Sequence, residues 1–242
     1  MTLTEPEIGA LIATLARAGG LVATAPLVGD NGVPIRVRLI FVLAIVATVG
    51  PNRPGVALAD VAGVAILELA VGLVTGLASR FVLQRAAVAG QLFGLSLGLG
   101  FAQQYDIHAG ESAGTLRMMV MSIAGLVFLA VGGLEAIVQS AASGPAHVGH
   151  IALLGPVLLE QGVSAFGHGL ALAAPIVLAS LVGNIGLALI SRAAPAANVF
   201  SIALPGVLVI GGLVLLATSA DLIGGLSDAA RAATAILTGD TP

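Results

Sequence analysis

Apolar residues along the chain fall into seven runs separated by short polar or proline-bearing stretches. The first, from about Ile8 to Ala25, carries Arg17 at its centre, and the second runs from Ile35 to Gly50. Between them, PLVGDNGVPIRVR holds the turn signal Asp30-Asn31-Gly32 and Pro34, whose fixed φ suits the start of a helix. GPNRPG (Gly50 to Gly55) then breaks the chain. The third run, Val56 to Ser79, contains Glu68 near its middle and is followed by Arg80 and Arg85. The fourth, Ala86 to Ala102, is short for a span, since about 20 residues cross a typical hydrocarbon core.

Gln103 to Arg117, QQYDIHAGESAGTLR, is the longest polar loop of the first half. The fifth run, Met118 to Val138, leads into a connection rich in glycine, histidine and proline that ends at Pro156. The sixth region, Val163 to Ile190, contains Pro175 and Asn184 and reads as one kinked helix or a tight hairpin. Ser191 to Gly206 interrupts the pattern with Arg192, Pro195, Asn198 and Pro205 before the last run, Val207 to Ala220. Each of those four is awkward in lipid: arginine by charge, proline by its missing donor, asparagine by an amide that needs partners. Residues 221–242 read as a short amphipathic helical tail with a frayed end, so the expected organisation is one helical domain over 1–220 followed by that tail. The fold class is all-α and membrane-associated, built of helical hairpins with bent or broken helices.

Composition moves this pattern out of water. The chain is 58% hydrophobic and 9% charged, with a mean hydropathy of +1.10. Soluble domains carry about a quarter charged residues, so polar surface is too scarce here to cover a globule. Thirty-three glycines, one Tyr, seven Phe and no Trp favour close helix approach over an aromatic belt. The absence of cysteine excludes disulfides, thiol catalysis and cysteine metal sites. All nine basic residues are arginines, and they are scattered, which leaves no footprint for nucleic acid. Glu5 and Glu7 stand where a signal peptide carries positive charge, so the N-terminus is expected to be retained. If all runs span, Arg36, Arg38, Arg80, Arg85 and Arg231 fall on one side and Arg53, Arg117 and Arg192 on the other, a weak positive-inside bias.

Few residues suggest chemistry. Gly90, Gly94 and Gly98 recur every fourth position, as do Gly72 and Gly76, a small-residue ridge suited to close packing of helices. The same stretch spells GLSLG around Ser96, but a nucleophile elbow needs a strand before it and none is expected here. Arg17 and Glu68 lie at mid-segment, where a charge costs on the order of 3 kcal/mol. They read either as a proton or ion relay or, preferably, as an interhelical pair with each other or with a partner subunit. Glu135 lies near the end of its run. His147 and His150 share a helical face, while His108 and His168 are isolated; no convergent ligand set emerges, and no metal or cofactor is expected. Met118, Met119 and Met121 follow the polar loop, as core filler or as a deformable surface for varied partners.

Three stretches carry a family resemblance: APLVGDNGVPIRVRLIFVLAIVATVGP (25–51), GQLFGLSLGLGFAQQYD (90–106) and ALAAPIVLASLVGNIGLALISRAAPAANVFSIALPG (171–206). The last is the most specific, with Arg192, Pro195, Asn198, Phe200 and Pro205 in order. The chain resembles the FliR proteins of the flagellar export apparatus, called SctT in injectisomes, and RAAPAANVFSIALP is closer to the flagellar members. It departs from them at VGGLEAIVQS, where Gly133 and Leu134 replace a Gly-His pair, so that histidine's role does not carry over.

The resemblance implies a FliP-like part fused to a FliQ-like part, present as a single copy in a closed channel with FliP and FliQ and contacted by FlhB and FlhA. It implies a bacterial inner-membrane location at the flagellar basal body, a non-enzymatic role, and unfolded proteins as the cargo in transit. It also implies that the loop after the glycine helix helps plug the channel, here Tyr105, Asp106, Ile107, His108 and Glu111, with Met118 at its base. Subunit packing would rest on Arg17, Glu68, the glycine ridge and the Arg192–Pro205 stretch. The contrasting reading is a self-contained secondary transporter with a site at the broken helix near Pro175 and Asn184, which should show matching interruptions in two halves; none is convincing.

Overall fold

A computed structural model describes residues 4–30, 32–50, 54–98, 114–144, 148–193 and 199–239, leaving aside the side chains of 148–154 and 199–204. Among these residues the protein is all-helical, with eight helices: α1 (Glu5–Thr24), α2 (Ile35–Val49), α3 (Val61–Ser96), α4 (Thr115–Ala130), α5 (Gly133–Ala142), α6 (Val148–Ala193), α7 (Val199–Ala217) and α8 (Ser219–Thr238).

Local chemistry explains most boundaries. At the start of α1 the Thr4 N–H donates to the Glu7 carboxylate at 2.6 Å, and Pro6 occupies the first turn, where no donor is missed. The helix closes at Ala25, just before Pro26. α2 begins directly after Pro34, and its last turn stops before Pro51. Gly132 takes φ +86°, a left-handed conformation that favours glycine, and there the chain bends by 61° between α4 and α5. A second bend, of 60°, separates the Pro205–Ala217 part of α7 from α8.

Two readings of the sequence differ from these elements. The third and fourth runs are one helix of 36 residues, since Arg80 and Arg85 sit within α3 without ending it. Arg80 finds Asp30 at 2.7 Å, so its charge is met from another element while the helix continues. Conversely the fifth run is two helices, because the Gly132-Gly133 pair permits the turn. The sixth region, which reads as a kinked helix or a hairpin, lies inside the single helix α6 of 46 residues.

The described residues form two compact units, one of residues 1–83, 125–164 and 229–242 and the other of residues 84–124 and 165–228. The first packs α1, α2 and the start of α3 with Phe128, Ile137 and the alanine-rich end of α8 around Leu21, Val82 and Ala233. The second gathers Phe93, Val120, Ala173, Ile176 and Leu226. Large apolar side chains outside these cores are plentiful: α2 buries only Val42, Ile45 and Val49 and leaves Ile35, Ile40 and Leu43 exposed. Among the described residues, three helices are long and apolar enough to cross a membrane, or up to five spans if each bent pair counts as one.

Inside the first unit, α1 and α3 approach backbone to backbone. A Cβ on Gly20 would lie 2.6 Å from the Leu69 carbonyl oxygen and 2.9 Å from the Leu73 nitrogen. One on Gly72 would strike the Arg17 carbonyl, and Thr24 Oγ1 donates across the same seam to the Leu73 carbonyl at 3.0 Å. Such contact replaces the hydrophobic drive that lipid cannot supply. Gly72→Leu is therefore expected to destabilise the chain by about 3 kcal/mol or more, the upper range for overpacking. Gly94→Ala, at a position with open space around it, should be neutral or stabilising by up to about 1 kcal/mol. Thermal midpoints in detergent read both, and equal behaviour of the two variants would remove the special role of the seam.

Candidate functional site

Among the described residues, Arg17 gathers partners from two other helices. Its Nε lies 2.5 Å from Glu68 Oε2, and both side chains are only 1% exposed. Nη1 donates to the Ser143 carbonyl at 2.9 Å, to Ser143 Oγ at 2.5 Å and, more weakly, to the Ser140 carbonyl at 3.5 Å. Ser143 is the C-cap of α5. The last carbonyls of a helix lack intrahelical donors and carry partial negative charge, so a guanidinium there satisfies both deficits. α1, α3 and α5 therefore converge on one buried cation, with Glu68 balancing its charge. Ser143 was not singled out from the sequence, because a backbone carbonyl carries no residue-type signal.

A second polar joint, read in the sequence only as a turn, ties the 25–34 connection to α2 and α3. The Asp30 carboxylate accepts from Arg80 Nη2 at 2.7 Å, the Gly29 carbonyl accepts from Arg80 Nη1 at 3.3 Å, and the Asp30 carbonyl accepts from Arg38. Leu27, at φ +64°, inserts towards Gly125, where a Cβ would sit 2.6 Å from Leu27 Cδ2. The available signal was an acidic residue in a loop, with one arginine in the next apolar run and another just after the run beyond it.

The remaining candidates separate. Gly90 faces α4 closely: a Cβ on it would be 2.7 Å from Arg117 Cα and 3.0 Å from the Leu116 carbonyl oxygen. Gly94 has nothing within 4 Å, and Gly98 lies past the end of α3 at φ +74°. Within this chain, then, Gly90 alone of the pair Gly90 and Gly94 is closely packed. Ser96 is the last residue of α3. Met118 is exposed in the first turns of α4. Arg192 is exposed near the end of α6, and Pro205 is exposed inside α7. A Cβ on Gly183 of α6 would lie 3.9 Å from Ile210 Cδ1 of α7. Pro195 and Asn198 lie outside the described residues, as do Tyr105, Asp106, Ile107, His108 and Glu111; Phe200 belongs to α7, its side chain not among those described. Among the described residues no cluster of His, Cys, Asp or Glu could hold a metal ion.

Residues 8–232 match the family described as bacterial export proteins, family 1. The chain belongs to this family. It is 32% identical to the flagellar biosynthetic protein FliR of Caulobacter vibrioides over 233 residues, covering 90% of each chain. FliR of Escherichia coli K12 is 28% identical over 208 residues, with 81% of this chain and 79% of the relative covered. FliR of Pectobacterium carotovorum is 29% identical over 206 residues, covering 81% and 78%. The protein is accordingly a FliR-type component of a flagellar export apparatus and, with its long apolar helices, a multi-pass membrane protein.

Removing one member of a buried pair strands the other, which typically costs about 3–5 kcal/mol. Arg17→Met and Glu68→Leu should each lose that much, whereas the double variant Arg17→Met/Glu68→Leu should cost less than their sum, with a coupling of about 1–3 kcal/mol. Denaturant resistance of the purified protein measures the cycle; strict additivity would mean that the pair is not energetically joined.

Proposed function

We propose that this chain is a structural subunit of the export channel, assembling with FliP and FliQ in the bacterial inner membrane at the flagellar basal body, as a single copy contacted by FlhB and FlhA. Unfolded flagellar proteins pass through the assembled gate, and the subunit contributes packing and closure but no bond chemistry. The observation that carries this reading is the family match from residue 8 to residue 232. Exposed apolar side chains support it: Val163 is 80% exposed, Leu159 71% and Leu216 72%, a surface for lipid and neighbouring helices. Short α2 and the two bent pairs suit helices held in place by other subunits more than plain bilayer spans.

In this reading the α6–α7 corner, with Arg192, Pro195, Asn198, Phe200 and Pro205, is an assembly joint in which neighbouring subunits satisfy the arginine and the amide. The connection carrying Tyr105, Asp106, Ile107, His108 and Glu111, with Met118 at its base, closes the resting channel. Co-expression tests the assembly: the chain should copurify with FliP and FliQ and be unstable alone. Arg192→Ala combined with Asn198→Ala should cut the recovered complex severalfold. A monodisperse homomer indifferent to FliP and FliQ would defeat the proposal. Deleting residues 106–112 should leave assembly intact while cells become permeable to small solutes. A tight channel after the deletion would place closure elsewhere.

A further inference from the structure

The second unit contains an open crevice of about 1020 Å³ between the end of α3, the start of α4 and Phe166 of α6. Its polar lining is Gln84, Gln91 and Arg117; Met118, Met121 and Phe166 supply part of the apolar remainder. Among the described residues, none of those three polar side chains has a hydrogen-bond or ion-pair partner in the fold. In a protein this poor in polar groups, unspent amides and a guanidinium beside apolar walls need an occupant or water.

Their chemistry narrows the occupant. Gln84 and Gln91 lie on one face of α3, seven residues apart, which is about 10.5 Å along a helix. An extended polypeptide covers nearly the same distance in three residues, at about 3.3 Å each. Each glutamine amide offers both donors and an acceptor, as a peptide backbone requires; a lipid phosphate offers acceptors alone. Methionines make a soft surface that repacks around differing side chains, so such a site would tolerate sequence variety. Arg117, the one charged residue among the described residues lining the crevice, favours a carboxylate.

We infer that the crevice is a contact site for the exported polypeptide in transit. Gln84 and Gln91 exchange hydrogen bonds with the main chain of an extended segment, and Arg117 engages an acidic side chain that it carries. The inference rests on the channel reading above and adds a specific contact to it.

The test uses the assembled export complex in cells, with an export substrate fused to a tightly folded domain so that it stalls in passage. A photocrosslinking amino acid at position 91, and separately at position 95 in case the first variant assembles poorly, should give an adduct with the stalled substrate that disappears when the substrate is withheld. Gln84→Leu/Gln91→Leu should slow export about fivefold for each hydrogen bond lost, at unchanged recovery of the complex. Arg117→Gln should slow an acidic substrate more than the same substrate with its carboxylates neutralised. Adducts only with lipid, with another subunit or with residues 99–113 of this chain, or export unchanged in both sets of variants, would overturn the inference. If FliP and FliQ fail to copurify with the unmodified chain, the channel reading itself fails; copurification with a stalled substrate but no substrate adduct defeats the crevice alone.

Discussion

A guanidinium buried to 1% exposure in the middle of a helix must be matched on every side, and the first unit is arranged around that requirement. Arg17 is charged under all ordinary conditions. It cannot shed its proton to escape the cost of burial, so the chain supplies a carboxylate from α3 and the free carbonyl end of α5. Those partners come from positions 68 and 143, far apart in sequence, which makes the arginine a checkpoint for tertiary structure. A packing of α1 that fails to bring α3 and α5 together leaves a bare charge in apolar surroundings, a state penalised by several kcal/mol. Apolar contacts in such a chain are nearly interchangeable; a polar demand of this kind is not.

The glycine seam makes that match geometrically possible. Because Gly20 and Gly72 lack side chains, the α1 and α3 backbones lie close enough for the short pair between Arg17 and Glu68 to form within the same interface. The joint at Asp30 acts at the neighbouring connection: one carboxylate and two carbonyls take up Arg80 and Arg38, so α3 passes Arg80 without a break. In both places a charged group that looks like an interruption in the apolar pattern serves as a fastening.

That explains what the residues disclosed and what they withheld. Arg17 and Glu68 were conspicuous as mid-run charges, and their mutual pairing was among the readings their positions allowed. The third partner was hidden because a helix end offers carbonyls whatever its side chains are. Arg80 looks like a terminus in the sequence, since hydropathy registers a charge but not its counter-charge on Asp30, fifty residues upstream. The spacing of Gly90 and Gly94 correctly indicates one helical face, but periodicity cannot say whether a neighbour lies against it; within the chain Gly90 has one and Gly94 does not. The bend at Gly132 was legible as a glycine pair and ambiguous as a break, because glycine within an apolar helix serves packing as readily as turning.

The α1–α3 seam also bears on the order of events during biogenesis. Where main chain meets main chain, few rotamers are frozen on contact, so the entropic cost that side-chain interdigitation imposes is small. The association needs no water to drive it, although the arginine at its centre is fully satisfied only once the carbonyl end of α5 joins it. Two helices emerging early from the ribosome can therefore pair in the membrane while later segments are still being made, presenting the arginine, already neutralised by Glu68, to a helix end that arrives last.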